Sequence, residues 1–145
     1  MKTYIIAVLI LFSSKCFSQE DIIENMTIIK GITEDKVYET TLERLIKSSY
    51  FITHSDKSSK LLQCKYILKN KGWFAGKSGD IIHYNIWFKN TDNGDTLVYI
   101  QANKTKKSKS GSVEVSDYYN DDLGIVTDKE VIDPIFQFIK NGFEK

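Results

Sequence analysis

Leu62-Gln63-Cys64-Lys65-Tyr66-Ile67-Leu68-Lys69 is the stretch that decides the fold. Leu62, Cys64, Tyr66 and Leu68 alternate with Gln63, Lys65, Ile67 and Lys69, the two-residue period of a strand with one buried face, and Cys64 therefore points inward. A second alternating run, Asp80 to Asn90, sets Ile82, Tyr84, Ile86 and Phe88 against Ile81, His83, Asn85 and Trp87. Asn93-Gly94 follows as the residue pair that a tight two-residue hairpin needs at positive φ. With that loop Asp92 opposes Asp95, Phe88 faces Tyr99 and Trp87 faces Ile100, and a third long strand runs from about Asp95 to Lys104.

Upstream, Met26 to Ile32 is rich in β-branched residues and reads as a first strand. Thr33, followed by Glu34 and Asp35, predicts a helix N-cap with acids at the positive end of the helix dipole. Tyr38, Leu42, Leu45, Ile46 and Ser49 place one apolar stripe on a helix from about 34 to 48, with Lys36, Glu39, Glu43 and Lys47 on its solvated side. Tyr50 to Thr53 is a short strand, closed by the polar turn His54 to Ser59. Downstream, Thr105 to Ser112 reads as a lysine and serine loop, Val113 to Val115 as a possible short strand, and Ser116 to Gly124 as an irregular polar stretch. Thr127-x-x-Glu130 has the form of a capping box, Asp133-Pro134 offers a competing helix start, and Ile135, Phe136, Phe138 and Ile139 supply the apolar face of a closing helix. The order implies an α+β two-layer sandwich, an antiparallel meander with two helices packed on one face and the other face partly open.

The N-terminus is read separately. Of the 145 residues, the first 18 combine Lys2, an apolar run from Tyr4 to Phe12, and Cys16 and Ser18 at −3 and −1 of a cut before Gln19, the pattern of a secretory signal peptide. The run is far shorter than the ~20 residues of a membrane-spanning helix. Lipid attachment at Cys16 is disfavoured because Ser13, Ser14 and Lys15 stand where a lipoprotein signal carries Leu and small residues. Removing residues 1–18 takes away Lys2 and Lys15 and no acid, leaving 18 basic against 19 acidic side chains and Cys64 as the one remaining cysteine. The expected product is an exported single domain, residues 19–145, periplasmic or secreted, without an intrachain disulfide or a transmembrane helix.

Several motifs fail their chemical tests. Gly72-Trp73-Phe74-Ala75-Gly76-Lys77-Ser78 looks like a phosphate-binding loop, but three residues instead of four separate its first Gly from Gly-Lys, Lys71 stands where that Gly belongs, and no helix follows. No nucleotide is therefore expected. Asp92-Asn93-Gly94-Asp95 would put Lys89 at the first position of a calcium loop, where it cannot ligate. Asp117, Asp121 and Asp122 form an acidic cluster whose default reading is solvated surface. Lys104, Lys106, Lys107 and Lys109 form a positive patch that, without arginine and at this overall charge, does not point to nucleic acid. His54 and His83 lack metal-ligand spacing, and a Cys64–His83 dyad has only adjacency of strands in its favour. No catalytic constellation, cofactor or metal is expected, so the reading is of a protein that is not an enzyme. The candidate interaction surface is Trp73, Phe74 and Lys77 on the glycine-rich loop with His83 and Trp87 on the open sheet face.

Thr33-Glu34-Asp35-Lys36-Val37-Tyr38 leading into a helix, followed by strand runs and a closing helix, resembles small uncharacterised exported bacterial domains with a TBP-like, helix-grip fold. In outline it is also similar to the BamC-type domains of outer-membrane lipoproteins, over about residues 26 to 143. The resemblance implies a non-catalytic binding role and carries over no catalytic residue. The function expected is an exported interaction module that holds a protein or cell-envelope component. A small secreted hydrolase inhibitor, plugging an active site with the 72–79 aromatic loop, is the alternative.

Overall fold

The structure is a computed structural model, and it describes residues 25–68, 79–110 and 117–144. In chain order these form β1 (Met26–Ile29), α1 (Glu34–Ile46), β2 (Phe51–Asp56), β3 (Leu61–Leu68), β4 (Asp80–Asn90), β5 (Thr96–Ser110), β6 (Asp117–Val126) and α2 (Lys129–Lys140). The six strands make one antiparallel sheet in the order β1-β5-β4-β3-β2. β6 also pairs with β5, beyond β1 on the same edge: β1 covers Thr96–Tyr99 and β6 covers Ala102–Ser110. Both helices pack on one face, giving the α+β two-layer sandwich that the alternating runs imply.

The core lies between these layers. Leu62 and Cys64 of β3, Ile82, Tyr84, Ile86 and Phe88 of β4, and Val98, Ile100 and Ala102 of β5 meet Val37, Tyr38 and Leu45 of α1 and Ile132, Ile135, Phe136 and Ile139 of α2. The inward set on β3 and β4 is the one the alternation selects. On α1 the buried stripe is rotated from the expected one. Val37, Tyr38, Thr41 and Leu45 are buried, whereas Ile46, the last residue of the helix, is 67% exposed.

Thr33 occupies the N-cap position of α1, yet its side chain makes no cap bond. Glu34 N–H instead donates to Asn90 Oδ1 (3.0 Å), and Asn90 N–H donates back to Glu34 Oε2 (2.8 Å). Gly31 N–H donates to Asp95 Oδ1 (2.7 Å) and Thr96 Oγ1 to the Ile32 carbonyl (2.6 Å). The β4–β5 hairpin thus holds the entry of α1, and the acidic turn that invited a calcium reading is used for this tie.

Four expectations need correction. The β4–β5 turn holds Asp92, Asn93 and Gly94 between Thr91 and Asp95, with Gly94 N–H donating to the Thr91 carbonyl (3.1 Å), and Gly94, not Asn93, at positive φ (78°). This three-residue pattern shifts the register by one, so Trp87 pairs with Tyr99 and Phe88 with Val98. The two-residue loop would have set inward Phe88 against outward Tyr99, which one buried face does not allow.

Strand β2 runs on through His54, Ser55 and Asp56, across an irregularity at Thr53, and the turn starts only at Lys57. Asp56 governs that turn, its carboxylate accepting from the hydroxyls of Ser58 (2.6 Å) and Ser59 (2.8 Å), which lowers its pKa to about 2.

The largest correction is at the C-terminal hairpin. Thr105–Ser110 and Asp117–Gly124, both read as loop, are strand. Lys106 opposes Asp121 and Lys107 opposes Asn120, so the basic patch and the acidic cluster are the facing strands of one ribbon. Opposite charges directly across a ladder stabilise it, an effect that neither segment shows alone. Gly124, at φ 82°, takes the positive-φ position at the irregularity next to Lys104.

Finally, α2 starts at Lys129 with Asp128 as N-cap, without a side-chain cap bond, and carries Pro134 inside it. Neither the capping box nor the proline start describes it. The possible strand Val113 to Val115 lies outside the described residues.

Candidate interaction surface

The face of the sheet opposite the helices is built from the outward residues of the same strands. The register stacks them in rows: Leu61, Trp87, Tyr99 and Met26; then Gln63, Asn85 and Gln101; then Lys65, His83 and Asn103; then Ile67, Ile81 and Thr105. The middle row is a hydrogen-bonded amide ladder, with Gln63 Nε2 donating to Asn85 Oδ1 (2.8 Å) and Asn85 Nδ2 to Gln101 Oε1 (3.4 Å). Trp87 and Tyr99 pack ring against ring at 5.4 Å, tilted by 37°. His83 Nε2 lies 3.4 Å from Thr105 Oγ1. Asn103 Oδ1 is buried without a hydrogen-bond partner among the described residues.

Large apolar side chains surround this polar centre. Phe51 (57% exposed) lies at the β2 edge under the Lys65 ammonium, 5.9 Å from its ring centre. Ile67 stands at the end of β3, Ile28 on β1, and Ile125 on β6 opposite Asn103, all exposed. Alternation places Ile67 and Ile28 on this face, but only the sheet order shows that strands distant in sequence set Ile28 and Ile125 along one margin.

Of the sequence-predicted site residues, His83 and Trp87 are here, both half-buried, with the Lys65–His83–Asn103 row next to the amide ladder and the Trp87–Tyr99 row on its other side. Trp73, Phe74 and Lys77 lie outside the described residues. Cys64 and His83 are not a dyad: Cys64 pairs with Tyr84 on the helix side, His83 with Lys65 on the open side. Burial pushes the Cys64 thiol up to about 12, so it stays protonated. Among the described residues no group of three His, Cys, Asp or Glu side chains could hold a metal ion, and no helix is long and apolar enough to cross a membrane.

Sequence reading missed a second concavity, on the helix side. A groove of about 480 Å³ runs between the end of α1, the end of β3 and α2. Tyr50, Tyr66, Tyr84 and Phe138 line it, with Tyr50 at the hub, its ring 5.1 Å from Tyr66, 6.0 Å from Tyr84 and 5.2 Å from Phe138. Tyr84 donates from its hydroxyl to the Val131 carbonyl (2.9 Å), fixing the sheet to α2. Burial raises the pKa of Tyr50, to about 12, and that of Tyr84, so both keep their protons at neutral pH.

No protein-family model matches this chain, the helix-grip and BamC-type families included, and no curated protein matches it. Among solved structures, the crystal structure of a DUF4468 family protein from Bacteroides ovatus is similar at a TM-score of 0.46 and 13% sequence identity, over 83% of this chain and 84% of that one. At that level of likeness nothing about a site or an activity transfers. The fold is a sheet-rich α+β sandwich.

Proposed function

We propose that this protein is an exported, non-catalytic interaction module whose open sheet face holds a protein or another component of the cell envelope. The observation that carries the reading is that face itself: Trp87 and Tyr99, the amide ladder and exposed Phe51, Ile67, Ile28 and Ile125 form one continuous surface over which neither helix packs. Aromatic, aliphatic and amide groups together suit a surface that gives up water to a partner and still satisfies that partner's polar groups. The leader-like residues 1–18 supply the argument for export.

Two measurements test the proposal. Intact-mass analysis of protein recovered from the extracytoplasmic fraction should show a chain beginning at Gln19; recovery of the full chain in the cytoplasm alone defeats the export reading. Capture from envelope extract should be saturable and should fall at least tenfold for Phe51→Ser with Ile67→Ser, two exposed positions at which a small uncharged side chain should move the thermal midpoint little. Undiminished capture by that variant defeats the role given to the open face.

A further inference from the structure

The aromatic groove on the helix side is a separate site, on the other side of the sheet from the interaction surface. Its volume, about 480 Å³, lies in the range of small-molecule pockets. Its charge is one-sided. Among the described lining residues, Glu130 is the one ionised side chain. Pro134, also in the wall, has no N–H and cannot donate the usual helical bond to the carbonyl of Glu130.

Among the described residues, three cations near the groove do not line it. Lys104 is paired with Asp80 at 2.7 Å. Lys129 lines a different hollow with Met26 and Thr27. Arg44 donates to the Phe138 carbonyl (3.1 Å) and lies 5.0 Å over the Phe138 ring without lining the groove. Aromatic faces attract cations, and a carboxylate at the rim fixes the sign of the charge preferred there.

We propose that this groove binds a small organic cation, an apolar or aromatic body seated against Tyr50, Tyr66 and Phe138 with its ammonium group directed to Glu130. The helix dipole alone is sufficient reason for an acid in the first turn of α2, so the test must separate a carboxylate that meets a ligand from one that only complements the helix.

Three probes of one shape do so: 4-phenylbutylammonium, 4-phenylbutanol and 4-phenylbutyrate, titrated into the purified protein by calorimetry. The ammonium should bind tightest and the carboxylate weakest. Glu130→Gln should weaken the ammonium about two- to fivefold, the upper range of an exposed ion pair, and leave the alcohol unchanged. Ser49→Trp, at an exposed position of the wall, should block all three, and serves where Tyr66→Ala fails to fold. Absence of binding at millimolar ammonium overturns the proposal. So does equal affinity for ammonium and alcohol, an equal effect of Glu130→Gln on both, or binding that survives Ser49→Trp.

Discussion

At the scale of single residues, two side chains serve purposes that their types alone do not announce. Cys64 is 1% exposed and, with its pKa near 12, carries almost no thiolate at neutral pH. In a Cys16→Ser background, a disulfide reagent at pH 8 should leave the native protein unmodified for at least about a hundred times longer than a free cysteine, and label it at once in guanidinium chloride. Fast labelling of the native chain would show that the sheet opens at β3. Asn90 looks like an ordinary end-of-strand residue, yet it caps α1 from 56 positions away. Asn90→Ala should cost about 1 kcal/mol in urea unfolding and Asn90→Asp distinctly less, since a carboxylate oxygen can still accept from Glu34 N–H. Equal loss for both would mean that the Glu34 carboxylate, which Asp repels, matters more than the cap.

At the scale of elements, what could be read from the sequence was whatever repeats within one element. Leu62, Cys64, Ile82, Tyr84, Ile86 and Phe88 are inward because the strand period requires it, and α1 and α2 follow from apolar spacing. What could not be read depends on a second strand. Lys106 and Asp121 each look solvated until the ladder sets them opposite one another, and the register at Trp87 depends on how Gly94 closes the turn. Cap geometry was hidden for the same reason, because Thr33 is a competent cap residue whose role Asn90 takes. The β5–β6 pairing yields its own expectation. Lys106→Asp and Asp121→Lys should each lower stability by a few tenths of a kcal/mol to about 1 kcal/mol, and the double exchange should recover most of the loss. Strict additivity would show that the pair contributes no coupling.

At the scale of the whole molecule, both described helices cover one sheet face, which became the core, and neither covers the other. The groove was invisible in the sequence because Tyr50, Tyr66, Tyr84 and Phe138 come from four elements or their ends. Their burial also sets the response to alkali. In the unfolded chain Cys64 and Tyr50 lose protons near 9.0 and 10.0, but in the folded chain both hold them to about 12. The unfolded state therefore binds fewer protons between these limits, and stability must fall as pH rises from about 9 to 12. Cys64→Ala should flatten the lower part of that decline, whatever it does to stability at pH 7. An unchanged slope would show that the thiol ionises as readily in the folded chain as in the unfolded one. Asp56, lowered to about 2, acts in the opposite direction: its turn is at full strength above pH 3.8 and loosens as pH falls toward 2.

The tie between the β4–β5 hairpin and the entry of α1 has a consequence in time. Among the described strands β1 pairs with β5 alone, and residues 90 and 95 hold the entry of α1. A chain that emerges N-terminus first therefore carries its opening strand through most of its synthesis before its described partner strand exists, although α1 can already meet Lys57 and Lys60. Such long-range pairing makes folding slow and late. Residues 26 to 29 lack that partner until Thr96 to Tyr99 have appeared, so whatever handles the chain in that interval, chaperone or translocation channel, meets an unpaired opening strand.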